Sequence, residues 1–195
     1  MHTIPLLEDR QVVARPGDEG FTLIELLVVL LIIGVLLAIA IPTFLSTTGS
    51  ANNTSAQADL KTALAGADTY FMTAGSQSYA YLDSSAGGTS TITSVGTGLT
   101  YVSGSGAANS SSGPHVISVS VSNGGNALVM TALAHGSLDC WGILDIKSTL
   151  SSTLDHETAI GTYYFVVPGS SASACNAQSA SPSIANISST AFPHG

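Results

Sequence analysis

One carboxylate, Glu25, stands near the start of an otherwise apolar run. From Phe21 to Ile41 the chain has 21 residues, and Thr22 and Glu25 are the only polar ones. A carboxylate inside a membrane helix costs on the order of a few kcal/mol at mid-bilayer, and less where it can reach the interface. An acid in the first helical turn regains about a few tenths of a kcal/mol from the helix dipole. A plain anchor or a secretory signal gains nothing specific from that charge. It makes sense if it acquires a partner when chains pack together.

Cys140 and Cys175 are the two cysteines. No His or Cys near either has zinc-ligand spacing. In an oxidising compartment they should pair. Closing a loop of about 35 residues would stabilise the fold by roughly 3–4 kcal/mol. The alternative is two buried thiols. Asp155-His156-Glu157 has metal-ligand residue types, but adjacent side chains point in different directions, and a solvated loop is the simpler account. Ser103-Gly104-Ser105-Gly106 lacks the glycine needed for a nucleophile elbow. No phosphate loop or dinucleotide fingerprint is present. The expectation is therefore no catalytic residue, no metal and no cofactor. The sequons at Asn52, Asn53, Asn109 and Asn186 are of a kind that arises by chance in so Ser- and Thr-rich a chain.

Composition narrows the classes further. Only 8% of residues are charged, against about 25% in an ordinary soluble domain. Four Lys and Arg face twelve Asp and Glu, and beyond Leu45 only Lys61 and Lys147 are basic. No basic patch can form, so no nucleic-acid partner is expected. The apolar fraction of 45% is enough for a core. Low charge with abundant Ser, Thr, Gly and Ala suits an extracellular surface.

The apolar run must place these groups. As a helix it spans about 30 Å, the thickness of a bilayer core. Pro42 should end or kink it. Residues 1–20 before it are polar and mixed in charge, and Pro16 and Gly17 break any helix there. Three readings compete. One is a plain transmembrane anchor. Another is a secretory signal, with Arg10 and Arg15 as the basic region and Ala38-Ile39-Ala40 as a small-x-small cleavage site. The third is a leader cut before the apolar run, and Glu25 favours it.

The stretch from Gly20-Phe21-Thr22-Leu23-Ile24-Glu25 through Gly34 to Pro42 closely resembles the amino-terminal signature of type IV pilins and type II secretion pseudopilins. The resemblance covers residues 20–45. It implies that a membrane-embedded aspartyl peptidase cuts between Gly20 and Phe21 and methylates the new amine of Phe21. It also implies assembly roles for Glu25 and Pro42. Glu25 of one subunit would neutralise the Phe21 amine of its neighbour. An unpaired buried charge is costly and a paired one tolerable, so this pair sets the register while apolar helix packing supplies affinity. Topology follows Lys and Arg, which puts the leader in the cytoplasm and the carboxyl domain outside.

Beyond Pro42 the helical pattern resumes. Ala56, Leu60, Ala63, Leu64, Ala67, Tyr70, Phe71 and Ala74 recur at three- and four-residue spacing. Gly49 and Asn52-Asn53 weaken the joint, and Gly75 is the expected stop. Residues 76–114 read as a long surface loop with one or two short strands near Tyr79-Leu82 and Leu99-Val102. Four strands follow, His115–Val121, Ala127–Leu133, Cys140–Ile146 and Thr162–Val167. Alternation in the first gives it one buried face. Asn123-Gly124-Gly125-Asn126 and His135-Gly136 are turn signals. Trp141, Tyr163, Tyr164 and Phe165 read as core or sheet-face aromatics. The tail, 168–195, is small and polar and is held near the sheet by Cys175.

The fold expectation is α+β, a long helix on a four-stranded antiparallel sheet, which also matches the pilin-like fold. The chain divides into a leader (1–20), a hydrophobic membrane and filament-core helix (21–45) and an extracellular head (46–195). The expected function is that of a structural subunit of a type IV pilus-like filament. Its partners would be copies of itself or related pilins, a prepilin peptidase, the assembly machinery and the inner membrane before assembly. A pseudopilin of a secretion or DNA-uptake system is the alternative within the class. A secreted or tethered adhesion module using the Ser/Thr/Gly loop is the alternative outside it.

Overall fold

A computed structural model describes residues 20–73, 77–80, 82, 98–104, 110–148, 159–180 and 186–193. Most of the expected leader, Gly75, Asn109, Asp155-His156-Glu157 and much of the expected 76–114 loop lie outside the described residues. The chain forms two units, Met1–Thr43 and Phe44–Gly195.

One helix, α1 (Leu23–Thr73), runs through both units. Pro42 does not end it, and Gly49 and Asn52-Asn53 are helical as well. In the first unit every described residue is exposed. This is the one helix among the described residues long and apolar enough to cross a membrane. Apolar surface on this scale calls for lipid or protein to cover it.

In the second unit the helix becomes one-sided. Ala56, Leu60, Ala63, Gly66 and Ala67 are buried, at the spacing of a single helical face. That face packs on the sheet, meeting Ile117, Val119, Leu128, Met130, Ala132, Trp141, Ile143 and Val166. Tyr79 and Leu82, expected near a short strand, are buried against the same core, and the described residues 77–80 and 82 form no strand.

The sheet corrects the expectation of four antiparallel strands. Among the described residues it has six, in sequential order: β1 (Thr100–Ser103), β2 (Val116–Ser122), β3 (Ala127–Ala134), β4 (Asp139–Ile146), β5 (Gly161–Val167) and β6 (Ile187–Ser188). The sheet is mixed, because β1 pairs parallel with β2 while the other pairs are antiparallel. Parallel neighbours need a crossover, and the link 104–115 supplies it. Of the two added strands, β1 falls where a short strand is expected near Leu99-Val102 but joins the sheet, and β6 is too short for periodicity to show. The β2–β3 turn uses Gly124 and Gly125 at φ 65° and 93°, values that glycine adopts without strain.

A second correction concerns burial. β3 is buried along its whole length and β4 from its second residue, so both sheet faces are covered. The helix covers one. The tail covers the other, with Ala177 and Ala180 against Ala127, Val129, Leu144, Ile146 and Phe165. The Ala177 N–H donates to Ser118 Oγ at 3.0 Å. Ser111 pins this layer: its N–H donates to the Cys175 carbonyl at 2.9 Å, its hydroxyl donates to the Val116 carbonyl at 2.6 Å, and it accepts from Leu133 N–H at 2.8 Å. Cys140 and Cys175 are joined by a disulfide, with Cα atoms 5.4 Å apart. The tail looks polar by composition, but its small residues fit closely on a sheet. Near its end, Phe192 stacks edge-on against Trp141 and Tyr164 on the helix side, with ring centroids 5.7 and 4.9 Å away.

Candidate processing and assembly site

Thr22 and Glu25 set where the helix begins. The Glu25 carboxylate accepts two hydrogen bonds at Oε2, from the Thr22 N–H and the Thr22 hydroxyl, both at 2.8 Å. The Glu25 N–H donates back to Thr22 Oγ1 at 3.3 Å. This is a capping box, in which a hydroxyl residue and an acid three positions on satisfy each other's orphan groups at a helix amino terminus. The Thr-x-x-Glu spacing before an apolar run is its sequence signal. Reading Glu25 alone missed Thr22.

Gly20 and Phe21 lie just before the helix, and both are exposed, Phe21 to 84%. The bond between them is therefore in non-helical chain. Extended, accessible backbone is what a protease can engage. Glu25 lies one helical turn further on.

Pro42 lies inside α1. Proline has no N–H for the carbonyl four residues back, here Ala38, and its ring crowds that carbonyl. The next residue adds bonds to the neighbouring carbonyls rather than to that of Ala38: Thr43 Oγ1 donates to the Ala40 carbonyl at 2.9 Å and lies 3.3 Å from that of Ile39. Such back-bonding hydroxyls let a helix bend without stranding polar groups. Thr48, Ser50 and Thr54 repeat the pattern, at 2.9–3.4 Å from carbonyls of the preceding turn. Gly34 presents open helix surface, since an added Cβ would meet nothing within 4 Å. Gly20, Phe21, Glu25, Gly34 and Pro42 thus lie along the first unit, whereas Cys140 and Cys175 belong to the second.

Two polar clusters in the second unit escaped the sequence reading. Asn53 accepts from Ser137 Oγ at 2.6 Å and Trp141 Nε1 at 3.1 Å, and donates to Asp139 Oδ2 at 3.2 Å. Asn52 donates to the His135 carbonyl. Both sequon asparagines of α1 are thus engaged in the fold. The other cluster surrounds Asp145, buried on β4. It accepts from Tyr79 OH at 2.5 Å and Thr162 Oγ1 at 2.7 Å, and Lys147 Nζ lies 3.0 Å away. Lys147 Nζ also reaches Asp68 at 2.8 Å and lies over the Phe71 ring. Burial works against the Lys147 charge, but its bonds to Asp68 and Asp145 outweigh that and raise its pKa. Burial first, then the hydrogen bond to Asp145, raises the pKa of Tyr79 far above its usual value. A buried carboxylate with three donors is tolerable where an unpaired one is not. This cluster fastens α1 to the sheet. Among the described residues no three His, Cys, Asp or Glu side chains gather to hold a metal.

Residues 15–41 match the family model described as the prokaryotic N-terminal methylation motif. No curated protein and no solved structure matches the chain. The match covers the apolar helix with its Thr22–Glu25 box and the exposed bond ahead of it. At its amino terminus, then, the chain carries the type IV pilin and pseudopilin signature.

Proposed function

We propose that the chain is the precursor of a structural filament subunit. A prepilin peptidase cuts between Gly20 and Phe21 and methylates the Phe21 amine. Before assembly, the apolar part of α1 holds the subunit in the inner membrane with its head outside. In the filament that part packs in the core, and Glu25 of one subunit neutralises the Phe21 ammonium of the next. The observation that carries this reading is the methylation motif, with one carboxylate at the start of an apolar helical stretch that is exposed throughout the first unit. Apolar packing supplies affinity, and the charge pair sets the axial register, because a mismatched register would leave both charges unpaired in an apolar setting.

The head supports an extracellular role. It has few charges and a disulfide, which persists in oxidising compartments. We place the leader in the cytoplasm and propose three partners: further copies or related subunits, the peptidase and the assembly machinery. Electron microscopy of fibres sheared from producing cells, labelled with antibody to the head, tests the proposal. Labelled fibres are expected, with Glu25→Ala abolishing them while the precursor is still made. Label confined to soluble protein in the medium would contradict it.

A further inference from the structure

We propose that the two oxygens of Glu25 have separate tasks, and that Thr22 is the positioning residue that separates them. The inference rests on the filament-subunit reading above. Both donors of Thr22, the amide and the hydroxyl, converge on Oε2 at 2.8 Å. The Glu25 N–H returns to the same hydroxyl at 3.3 Å. One oxygen of the carboxylate is therefore committed to capping its own helix. Each carboxylate oxygen has about two lone-pair sites, so Oε1 is available to a further donor. A neighbour's ammonium binds there without dismantling the cap.

Two consequences follow for an acid at the edge of a membrane. Before assembly the carboxylate has two donors, so it does not face lipid with its charge unsatisfied. At assembly the side chain is already held in one rotamer. A free Glu has several torsions to fix when it binds, and fixing them weakens association. Thr22 removes that cost in advance.

The test uses the full chain in cells that assemble the filament, with mature amino terminus and filament yield read together. Thr22→Val keeps the shape but loses the hydroxyl. It should still be cut after Gly20, while filament yield falls about tenfold or more, the factor that one hydrogen bond to a charged group carries. Thr22→Ser should restore the yield. Thr22→Asp separates positioning from capping. It caps a helix as well as Thr does, but an ionised Asp has no proton to give Oε2 and repels Glu25, so its yield should fall with that of Thr22→Val. If Thr22→Asp assembles like the wild type, Thr22 serves only as a cap and the proposal is overturned. Wild-type yield from Thr22→Val overturns it too, as does a variant stalled before cleavage, since Thr22 would then be read by the peptidase. In each of these cases the wild-type filament and its cut after Gly20 still stand. A wild-type chain beginning at Ile41 would remove the subunit reading itself, and this inference with it.

Discussion

Asn53 uses both ends of its amide to hold α1 to the β3–β4 hairpin. Removing that amide strands the Trp141 N–H, which is on a side chain only 2% exposed. Asn53→Ala should therefore destabilise the head by about 1–3 kcal/mol. The check is a lower urea midpoint with unchanged slope, measured on the chain in detergent. The Asp145 cluster gives a pH prediction. Lys147 has a raised pKa in the fold, so its contribution is present below the ordinary lysine value of about 10.4 and is lost as pH rises through the folded value. Tyr79 is also raised, and its contribution likewise fades above about pH 10, where the unfolded tyrosine ionises and the folded one still resists. Both signs agree. The melting temperature should fall as pH is taken above about 10, and Tyr79→Phe should flatten that fall.

Among the elements, β4 and β5 offer the sharpest test of packing. Gly142 pairs opposite Phe165, and a Cβ at Gly142 would come within 2.1–2.6 Å of three Phe165 ring atoms. The ring fills the space that a side chain would take, and Phe165 is fully buried. Gly142→Ala should thus cost about 1–3 kcal/mol, seen as a lower urea midpoint. The elements themselves were legible to different degrees. Strands β2 to β5 show in the sequence as β-branched and aromatic runs with glycine turns between them, and their bounds lie within a residue of those read from the pattern. The buried helical face shows too, as Ala56, Leu60, Ala63 and Ala67 at helical spacing. β1 shows as the short strand read near Leu99-Val102, though its place in the sheet does not, and β6 does not show at all, because two residues give no periodicity. The second covered face does not show either. Ser118, Ser111 and the small residues of the tail read as solvent-facing, yet are buried by backbone bonds made far along the chain. Long-range pairing of that kind leaves no local trace. At the candidate site, Glu25 stood out because a charge in an apolar run is anomalous. Thr22 was less visible, since a lone hydroxyl in such a run is ordinary.

For the whole molecule, the two units answer to different solvents. The described residues of the first are all exposed, so its apolar side chains call for lipid or protein to cover them. The second is a three-layer head of helix, sheet and tail, with the Cys140–Cys175 disulfide tying tail to sheet across 35 residues of sequence. Reducing that disulfide should lower head stability by roughly 3–4 kcal/mol. The tail layer should loosen first, seen as faster amide exchange at Ala177 and Ala180 than at Leu60. None of this bears on the proposed processing, which would rest on a few residues at the edge of the first unit. The most direct test of the central claim is the mass of the mature amino terminus, taken from chain purified out of producing cells. The account predicts a polypeptide that begins at Phe21 and carries one methyl group on its amine. A polypeptide that begins at Ile41, as cleavage after Ala38-Ile39-Ala40 would give, or one that retains Met1, would contradict it.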